Sequence, residues 1–547
     1  MKVLGFTSDN HDASLTLIED GKVIACYTNE RFSKNKYDMA CKPFLALDNM
    51  VADFDLDLTD PNLHLAMACP AWTDDPFVEE IFGYKHEISI YGHHEAHCAG
   101  AYYTSGFQEK TLIFSLDSTS SRNWFSPKMT RKDLNKRAKQ VFKSNFGAFY
   151  SGENDKMTLL EELDGVPTNL TATYPQAINS LTTVWHIITT TGFGFNHKDE
   201  GKIMGLAPQG TFNKELYHRL KPFADLNSIN ASLFLKYIEV FKEEGWFSDD
   251  QKKKDFAFTW QRVSEDVIIE FIAQIAQKYP GHTKLALAGG FFANVKINQK
   301  LNEYLGFEEI YIMPPMGDEG LSIGAAILKA KEIMHFENKR WDNVFLGKGY
   351  TNEEIFPLLD TTKYSIKPAH SKYIAERLQE GKLVGLFIGR EEYGPRALGH
   401  RTILCDPRKK ENHEYINRKL GRNEIMPFAP MIMKEHINNV CYAYKSLRAA
   451  EFMTLCFTVK DHWIDQIPAV IQNDDKTCRA QIIYKERNEF CWNVLNEFNE
   501  LTGVPVLLNT SFNGHGEPII NTVEQALEKF KNDVVDVLIL NNMMLEK

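Results

Sequence analysis

The stretch Gly92-His93-His94-Glu95-Ala96-His97 carries two histidines four residues apart, His93 and His97. On a helix that spacing turns both imidazoles to one side, where they can share one metal ion. Asp117, closing the run Phe114-Ser115-Leu116, and Asp318, in the turn Gly317-Asp318-Glu319-Gly320, supply carboxylates to go with them. Two imidazoles and two carboxylates suit iron, zinc or manganese and leave positions open for substrate oxygens. Asp318 also has a plainer use, as the cap of the helix LSIGAAILKA that follows it. His11-Asp12 offers a general base next to the carboxylate that would orient it; alone, a loop histidine beside an acid is commonplace.

Gly289-Gly290 ends an apolar run and precedes a helix, a place where backbone can approach a nucleotide closely and a helix N-terminus favours phosphate. Asn294 and Asn298 follow one turn apart and could bond a ribose or base, although exposed asparagines near a helix start more often do nothing special. The second half sets arginines among glycines, in Gly389-Arg390-Glu391-Glu392-Tyr393-Gly394-Pro395-Arg396-Ala397-Leu398-Gly399-His400-Arg401. Lys419, Arg422, Arg479, Asn509 and Ser511 come after it. Arginine forks bind phosphate and carboxylate in two-pronged fashion, and glycines let a loop wrap the anion. A solvated surface arginine is the ordinary alternative.

The elements that must position these groups alternate between strands and helices. Residues 2–7, 14–19 and 22–27 read as strands, the last two joined by the hairpin signal Asp20-Gly21. TLIFSLDSTSS at 111–121 and KLALAGG at 284–290 are further apolar strands ending in polar or glycine-rich loops. Together they suggest a nucleotide-binding α/β fold made of two related halves. A helix is expected over 257–279, closed by Tyr279-Pro280-Gly281. The segment 121–165 reads as an insertion over the cleft, 334–350 as the joint between domains, and the boundary falls near 345. Strands return at 382–389, 451–459 and 504–510.

At 547 residues the chain exceeds what a single core supports, so two large domains are expected. A net charge of −11 gives no general attraction for a polyanion. The basic run Lys128, Arg131, Lys132, Lys136, Arg137 and Lys139 is the one stretch that could meet a phosphate backbone, although such runs are usually solvated faces. Nine scattered cysteines with no C-x-x-C pair indicate neither a disulfide framework nor a zinc knuckle. With no secretory h-region and no run long enough to span a bilayer, a cytoplasmic protein without a membrane partner is expected. A homodimer is the default oligomer.

Taken in order, HDAS at 11–14, HHEAH at 93–97, GKIMGLAP at 201–208, LAGGFFAN at 287–294, GDEGLSIGAA at 317–326, YGPRALGHRTILCDPR at 393–408, PFAP at 427–430 and LNTSFNGHGEPI at 508–519 resemble the NodU/CmcH family of O-carbamoyltransferases. The resemblance implies an α/β chain with an actin-like (ASKHA, TsaD-like) domain over 1–345 and a YrdC-like α/β domain over 346–547. It implies that the second domain joins ATP and carbamoyl phosphate into carbamoyl-adenylate, and that the first transfers the carbamoyl group to an acceptor hydroxyl. His93, His97, Asp117 and Asp318 would hold a divalent metal, iron as first choice, with magnesium accompanying ATP. His11 and Asp12 would act on the acceptor, and Gly289, Gly290, Asn294 and Ser118 would face the nucleotide. Arg396, Lys419, Arg422, Arg479, Asn509 and Ser511 would face carbamoyl phosphate and ATP.

Three departures stand out. Asp117-Ser118-Thr119-Ser120 replaces a glycine-rich family run, so hydroxyls would make the phosphate contacts there. Leu420 and Met426 stand where the family has a lysine and an arginine, and Lys419 and Arg422 are the cations that could take over. Asn29-Glu30-Arg31-Phe32-Ser33-Lys34-Asn35-Lys36-Tyr37 departs from EERxxRxKH, which suggests a changed acceptor side. The acceptor is open between a sugar or other small metabolite and a hydroxymethylated nucleobase, free or in DNA. A threonylcarbamoyl-type transferase acting on tRNA and a catalytically silent nucleotide-binding protein are the competing readings.

Overall fold

The computed structural model describes residues 1–7, 11–37, 43–68, 88–121, 144–164, 180–196, 198–227, 229, 231–422, 427–443, 445–472 and 474–547. It is mixed α/β and forms two compact units. One holds Met1–Ile24 and Ala40–Trp341, the other Ala25–Met39 and Asp342–Lys547. A sequence division at 345 leaves residues 25–39 with the first half; in the structure they group with the second. Among the described residues no helix is long and apolar enough to cross a membrane.

Residues 2–312 contain two five-stranded sheets. The first is made of β1 (Lys2–Thr7), β2 (Ser14–Glu19), β3 (Lys22–Thr28), β4 (Leu63–Ala68) and β5 (Ile88–Tyr91), in the order β3-β2-β1-β4-β5. The hairpin between β2 and β3 turns on Asp20 and Gly21, at φ of 47° and 76°, the positive values a two-residue turn needs. The second sheet is made of β6 (Thr111–Ser121), β7 (Ser144–Glu153), β8 (Lys156–Asp164), β9 (Lys284–Ala288) and β10 (Glu309–Ile312), in the order β10-β9-β6-β7-β8. In both, the first strand pairs antiparallel with its successor and parallel with a later strand, which in turn pairs parallel with the next. One topology is thus used twice.

Residues 144–164 are therefore strands, and not part of an insertion as the sequence suggested. Their turn at Asn154-Asp155, with φ of 48° and 64°, is a hairpin signal of the same kind as Asp20-Gly21. The basic run from Lys128 to Lys139 and Met426 lie outside the described residues.

Four helices matter to the site: α1 (His93–Ser105), α2 (Asp250–Lys278), α3 (Val295–Tyr304) and α4 (Leu321–Ile333). The Glu95 carboxylate accepts the Gly92 N–H at 3.3 Å and fixes the start of α1. Two glycines bring α4 close to its neighbours. A Cβ on Gly324 would lie 1.8 Å from the Ala96 carbonyl oxygen on α1, and one on Gly5 of β1 would lie 2.3 Å from the Ser322 oxygen on α4.

The second unit is built on an eight-stranded sheet. Its strands β11 (Ser365–Pro368), β12 (Val384–Phe387), β13 (Arg401–Cys405), β14 (Ala429–Met433), β17 (Gln481–Ile483), β18 (Val506–Ser511), β19 (Val537–Leu540) and β20 (Met543–Glu546) run in the order β11-β20-β19-β12-β13-β18-β14-β17. A two-stranded pair, β15 (Phe457–Thr458) and β16 (Thr477–Cys478), stands apart from it. The strand expected over 451–459 shrinks to β15. Ala449–Phe452 is a 3-10 turn, Glu451 is drawn into ion pairs with Arg448 and Arg487, and Met453 takes a φ of 56° that breaks an extended path.

Gly324→Ala should therefore push α4 off α1 and lower stability by about 1–3 kcal/mol. The melting temperature of the full chain should fall, and an unchanged value would mean the two helices can separate without cost.

Candidate active site

The N-terminus of α1, the C-terminal part of β6 and the turn between β10 and α4 deliver His93, His97, Asp117 and Asp318 to one point. One ligand atom from each lies within 4.8 Å of all the others. His93 Nε2 is 3.6 Å and His97 Nε2 3.4 Å from Asp318 Oδ1, and His97 Nε2 is 3.6 Å from Asp117 Oδ2. These separations suit neighbouring ligands that each sit about 2.0–2.2 Å from a shared first-row ion. His93 Nε2, His97 Nε2 and Asp318 Oδ1 are buried without a hydrogen-bond partner among the described residues. Polar atoms are rarely left so, and the donor set fits a divalent metal.

The electrostatics agree. Burial works against every charge here, yet the Asp117 and Asp318 carboxyls are held below their ordinary range because the facing imidazoles outweigh it. His97 is lifted to about 9: burial opposes the rise, and its contacts with Asp117 and Asp318 outweigh burial. His93 is pushed down, chiefly by burial. His94 packs edge-on against the His93 ring and bonds Ser115 Oγ at 2.9 Å through Nδ1.

Gly289 and Gly290 have a local task at this point. A Cβ on Gly289, at φ of 96°, would lie 2.2 Å from the Leu116 oxygen, so only glycine lets the end of β9 close on β6. Gly290 N–H then donates to Asp117 Oδ2 at 2.7 Å. Asn294 is spent on its own helix: its Oδ1 accepts from the Lys296 and Ile297 amides and its Nδ2 donates to Gln261. Asn298 donates to the Phe292 carbonyl at 2.7 Å. Asn294 thus caps the helix, while Asn298 sits inside it. The Ser118 side chain lies outside the described residues.

At the rim, His11 Nδ1 bonds Asp12 Oδ2 at 2.8 Å and stands 3.6 Å from Asp318 Oδ2. Burial lowers the His11 pKa, but the two carboxylates outweigh it and bring it to about 9. Because Asp318 contributes to that rise, a cation bound by Asp318 brings it down again. Lys198 Nζ donates to the same Asp12 oxygen at 2.6 Å. Sequence reading passed over Lys198, which lies 186 residues from Asp12 and in no recognisable spacing with it.

In the second unit the arginine loop is tied to β18 from below. Asn509 Nδ2 donates to the Ala397 carbonyl at 3.0 Å and to Gln481 Oε1 at 2.6 Å, while Gln481 Nε2 donates to the Leu398 carbonyl at 2.8 Å. The backbone neighbours of Arg396 and Arg479 thus meet at Asn509, two residues before Ser511. Both arginines are half-buried. Arg422 reaches the same strand end, donating to Ser511 Oγ at 3.1 Å and to Asn513 Oδ1 at 2.7 Å. Lys419 does not join them. It ends the helix α5 (Glu411–Lys419), and its ammonium donates to the Asp533 carbonyl at 2.6 Å. Leu420, 5% exposed, packs into the core where the sequence suggested a missing anion ligand.

Glu392, also missed in sequence, accepts the amides of Leu398, His400 and Arg401 at 2.6, 3.2 and 3.2 Å. Arg401 is structural, donating to the carbonyls of Ile388, His400, Lys348 and Gly389.

Family models agree with this layout. One described as Carbamoyltransferase N-terminus matches residues 79–327, and one described as Carbamoyltransferase C-terminus matches residues 375–547. An uncharacterised protein of Methanocaldococcus jannaschii is 30% identical over 490 residues, 85% of this chain and 74% of that one. The chain belongs to the carbamoyltransferase family. The nodulation protein NolNO of Sinorhizobium fredii is 27% identical over 98% of this chain and 79% of its own, and NolO of Bradyrhizobium diazoefficiens 29% identical over 83% and 78%. This carbamoyltransferase is accordingly an enzyme of the transferase class, and carbamoyl transfer is its chemistry.

If the four residues share an ion, Asp318→Asn and His97→Ala should each lower bound divalent metal by about tenfold or more, read by elemental analysis of purified protein. Unchanged metal content in either would remove that residue from the ligand set.

The arginine loop makes its own prediction. His400 is held down to about 4, chiefly by burial, so its share of stability is lost as pH falls from 6.5 towards 4. Glu391 is raised to about 7, chiefly by burial, so its share is lost as pH rises from 4.5 to 7. The two oppose each other. Relative to wild type, His400→Gln should lose about 2 kcal/mol between pH 5 and 6.5, at ~1.36 kcal/mol per unit. Parallel melting curves across that range would contradict this.

Proposed function

We propose that the chain is an ATP-dependent O-carbamoyltransferase with two sites, one in each unit. The buried cluster of two imidazoles and two carboxylates beside the His11–Asp12 pair carries the reading, within a family whose chemistry is carbamoyl transfer. The first unit is read as the TsaD-like, actin-like transfer unit, a reading supported by two sheets that repeat one topology. The second is read as the YrdC-like unit that forms the adenylate.

In the second unit, water and carbamoyl phosphate give carbamate and phosphate. A carbamate oxygen then attacks the α-phosphorus of ATP and pyrophosphate leaves, which yields carbamoyl-adenylate. Arg396, Arg479, Arg422, Asn509 and Ser511 are the donors for these anions. Asn509 Oδ1, buried without a hydrogen-bond partner among the described residues, also offers an acceptor. In the first unit His93, His97, Asp117 and Asp318 would hold the metal, which supplies a positive centre for phosphate oxygens. Asp12 bonds the Nδ1 side of His11, which leaves Nε2 to take the proton of the acceptor hydroxyl. That oxygen bonds to the carbamoyl carbon and AMP departs. Adenylation is needed because a free carbamate has a poor leaving group.

Mass spectrometry of pure protein mixed with ATP, carbamoyl phosphate and ferrous ion should show carbamoyl-AMP with pyrophosphate release. Arg396→Ala should reduce both by about a hundredfold, the scale at which one transition-state donor acts. The buried Leu420 favours a second reading, a nucleotide-binding protein without turnover. No pyrophosphate release with any combination of ATP, carbamoyl phosphate and metal would select it.

A further inference from the structure

Resting on the adenylate-forming reading of the second unit, we infer that Arg31 is a positioning residue for the Arg396 loop, so that this unit's chemistry depends on a segment from the start of the chain. Arg31 sits in the short helix Asn29–Ser33, inside the stretch Ala25–Met39 that belongs to the second unit, and is 5% exposed. Its Nε lies 3.1 Å from Glu391 Oε1 and its Nη2 donates to the Gly394 carbonyl at 2.9 Å. One guanidinium thus grips the loop at two points that flank Glu392 and Tyr393.

What it grips leads directly to Arg396. Gly394 has a φ of 113°, open to glycine, and the next residue, Pro395, has its φ fixed by its ring. With the Gly394 carbonyl held, the path into Arg396 has little freedom left. The far side of the loop is closed by Glu392 on the amides of Leu398, His400 and Arg401. The near side is laced to residues 344–348: Tyr393 N–H donates to the Val344 oxygen at 2.7 Å, Gly347 N–H to the Glu391 oxygen at 2.9 Å, and Glu391 N–H to the Lys348 oxygen at 2.9 Å. The Cys26 amide donates to the Leu346 oxygen at 3.0 Å, which fastens the Arg31 segment to the same lattice.

Arg31 Nη1 is buried with no hydrogen-bond partner among the described residues. A charged donor left so is costly unless something uses it. Structure alone would be served as well by an apolar side chain of the same length. A two-pronged grip on one acid and one carbonyl, 363 residues away from the latter, is how a loop is given a direction.

The full chain carrying Arg31→Met, Arg31→Lys or Arg31→Gly tests this by two independent readouts. Hydrogen exchange at the Leu398, His400 and Arg401 amides should speed up at least tenfold in Arg31→Met. The KM for carbamoyl phosphate in pyrophosphate release should rise at least tenfold, with kcat changed less. Free guanidinium should restore part of the lost affinity in Arg31→Gly but none in Arg396→Ala. Unchanged exchange, or an unchanged KM, overturns the proposal. Should Arg31→Met fail to fold, Arg31→Lys, which keeps the charge and loses the fork, carries the same comparison. If wild-type protein releases no pyrophosphate, the adenylate-forming reading fails by itself, and the exchange rates still decide whether Arg31 holds the loop.

Discussion

Two carboxylates and two imidazoles share a space a few ångströms across, and nearly everything in the first unit follows from keeping them there. Taking a charged group out of water costs several kcal/mol unless an opposite charge meets it in good geometry. Asp318 and Asp117 meet theirs in His97, whose charged form their contact favours, and His93 completes a site in which each member is tolerable only because the others are present. The fold supplies the precision. Gly324 and Gly5 bring α4 down onto α1 and β1, Gly289 brings β9 onto β6, and the Gly290 amide takes one oxygen of Asp117. The glycines next to this site act as spacers that let the elements around the ligands approach one another.

The second unit solves a different problem, that of holding cations ready for an anion. Arginines repel one another, so the loop bearing Arg396 cannot rely on its own contacts. It is fixed from outside, by Glu392 through three backbone amides and by Asn509 and Gln481 through the Ala397 and Leu398 carbonyls. Burial of Glu391 and His400 shifts both away from their ordinary titration ranges, in opposite directions. A loop built this way tolerates acid and base changes that would disturb either group alone.

What was legible in the sequence was what lies close together in it. His93 and His97 declare themselves by spacing, Asp318 by its glycines, and the arginine loop by its punctuation. The first three strands and the helix ending at Lys278 follow from hydrophobic period. The strands β7 and β8 were hidden by the polar run before them, although Asn154-Asp155 marked their turn. Residues 451–459 look extended, yet Glu451 has a stronger use as the partner of two arginines. Lys198, Glu392 and Arg31 could not be found from spacing, because each acts on a group brought near only by the tertiary fold. Asn294 shows a local use that the glycine pair beside it hides: its side-chain oxygen caps the helix it starts.

The grouping of residues 25–39 with the second unit also bears on how the protein is made. Arg31 leaves the ribosome 363 residues before Gly394. At ordinary rates of synthesis, ~5–20 residues per second, that is a wait of roughly 20–70 seconds. Throughout that interval the segment has neither its acid nor its carbonyl, and the strand that leads into it, β3, is continuous with a sheet free to form at once. The early part of the chain must therefore fold around a stretch it cannot yet bury, and assembly of the second unit closes a loop over most of the polypeptide. Slow, strongly non-local closure of this kind is where nascent chains depend most on chaperones.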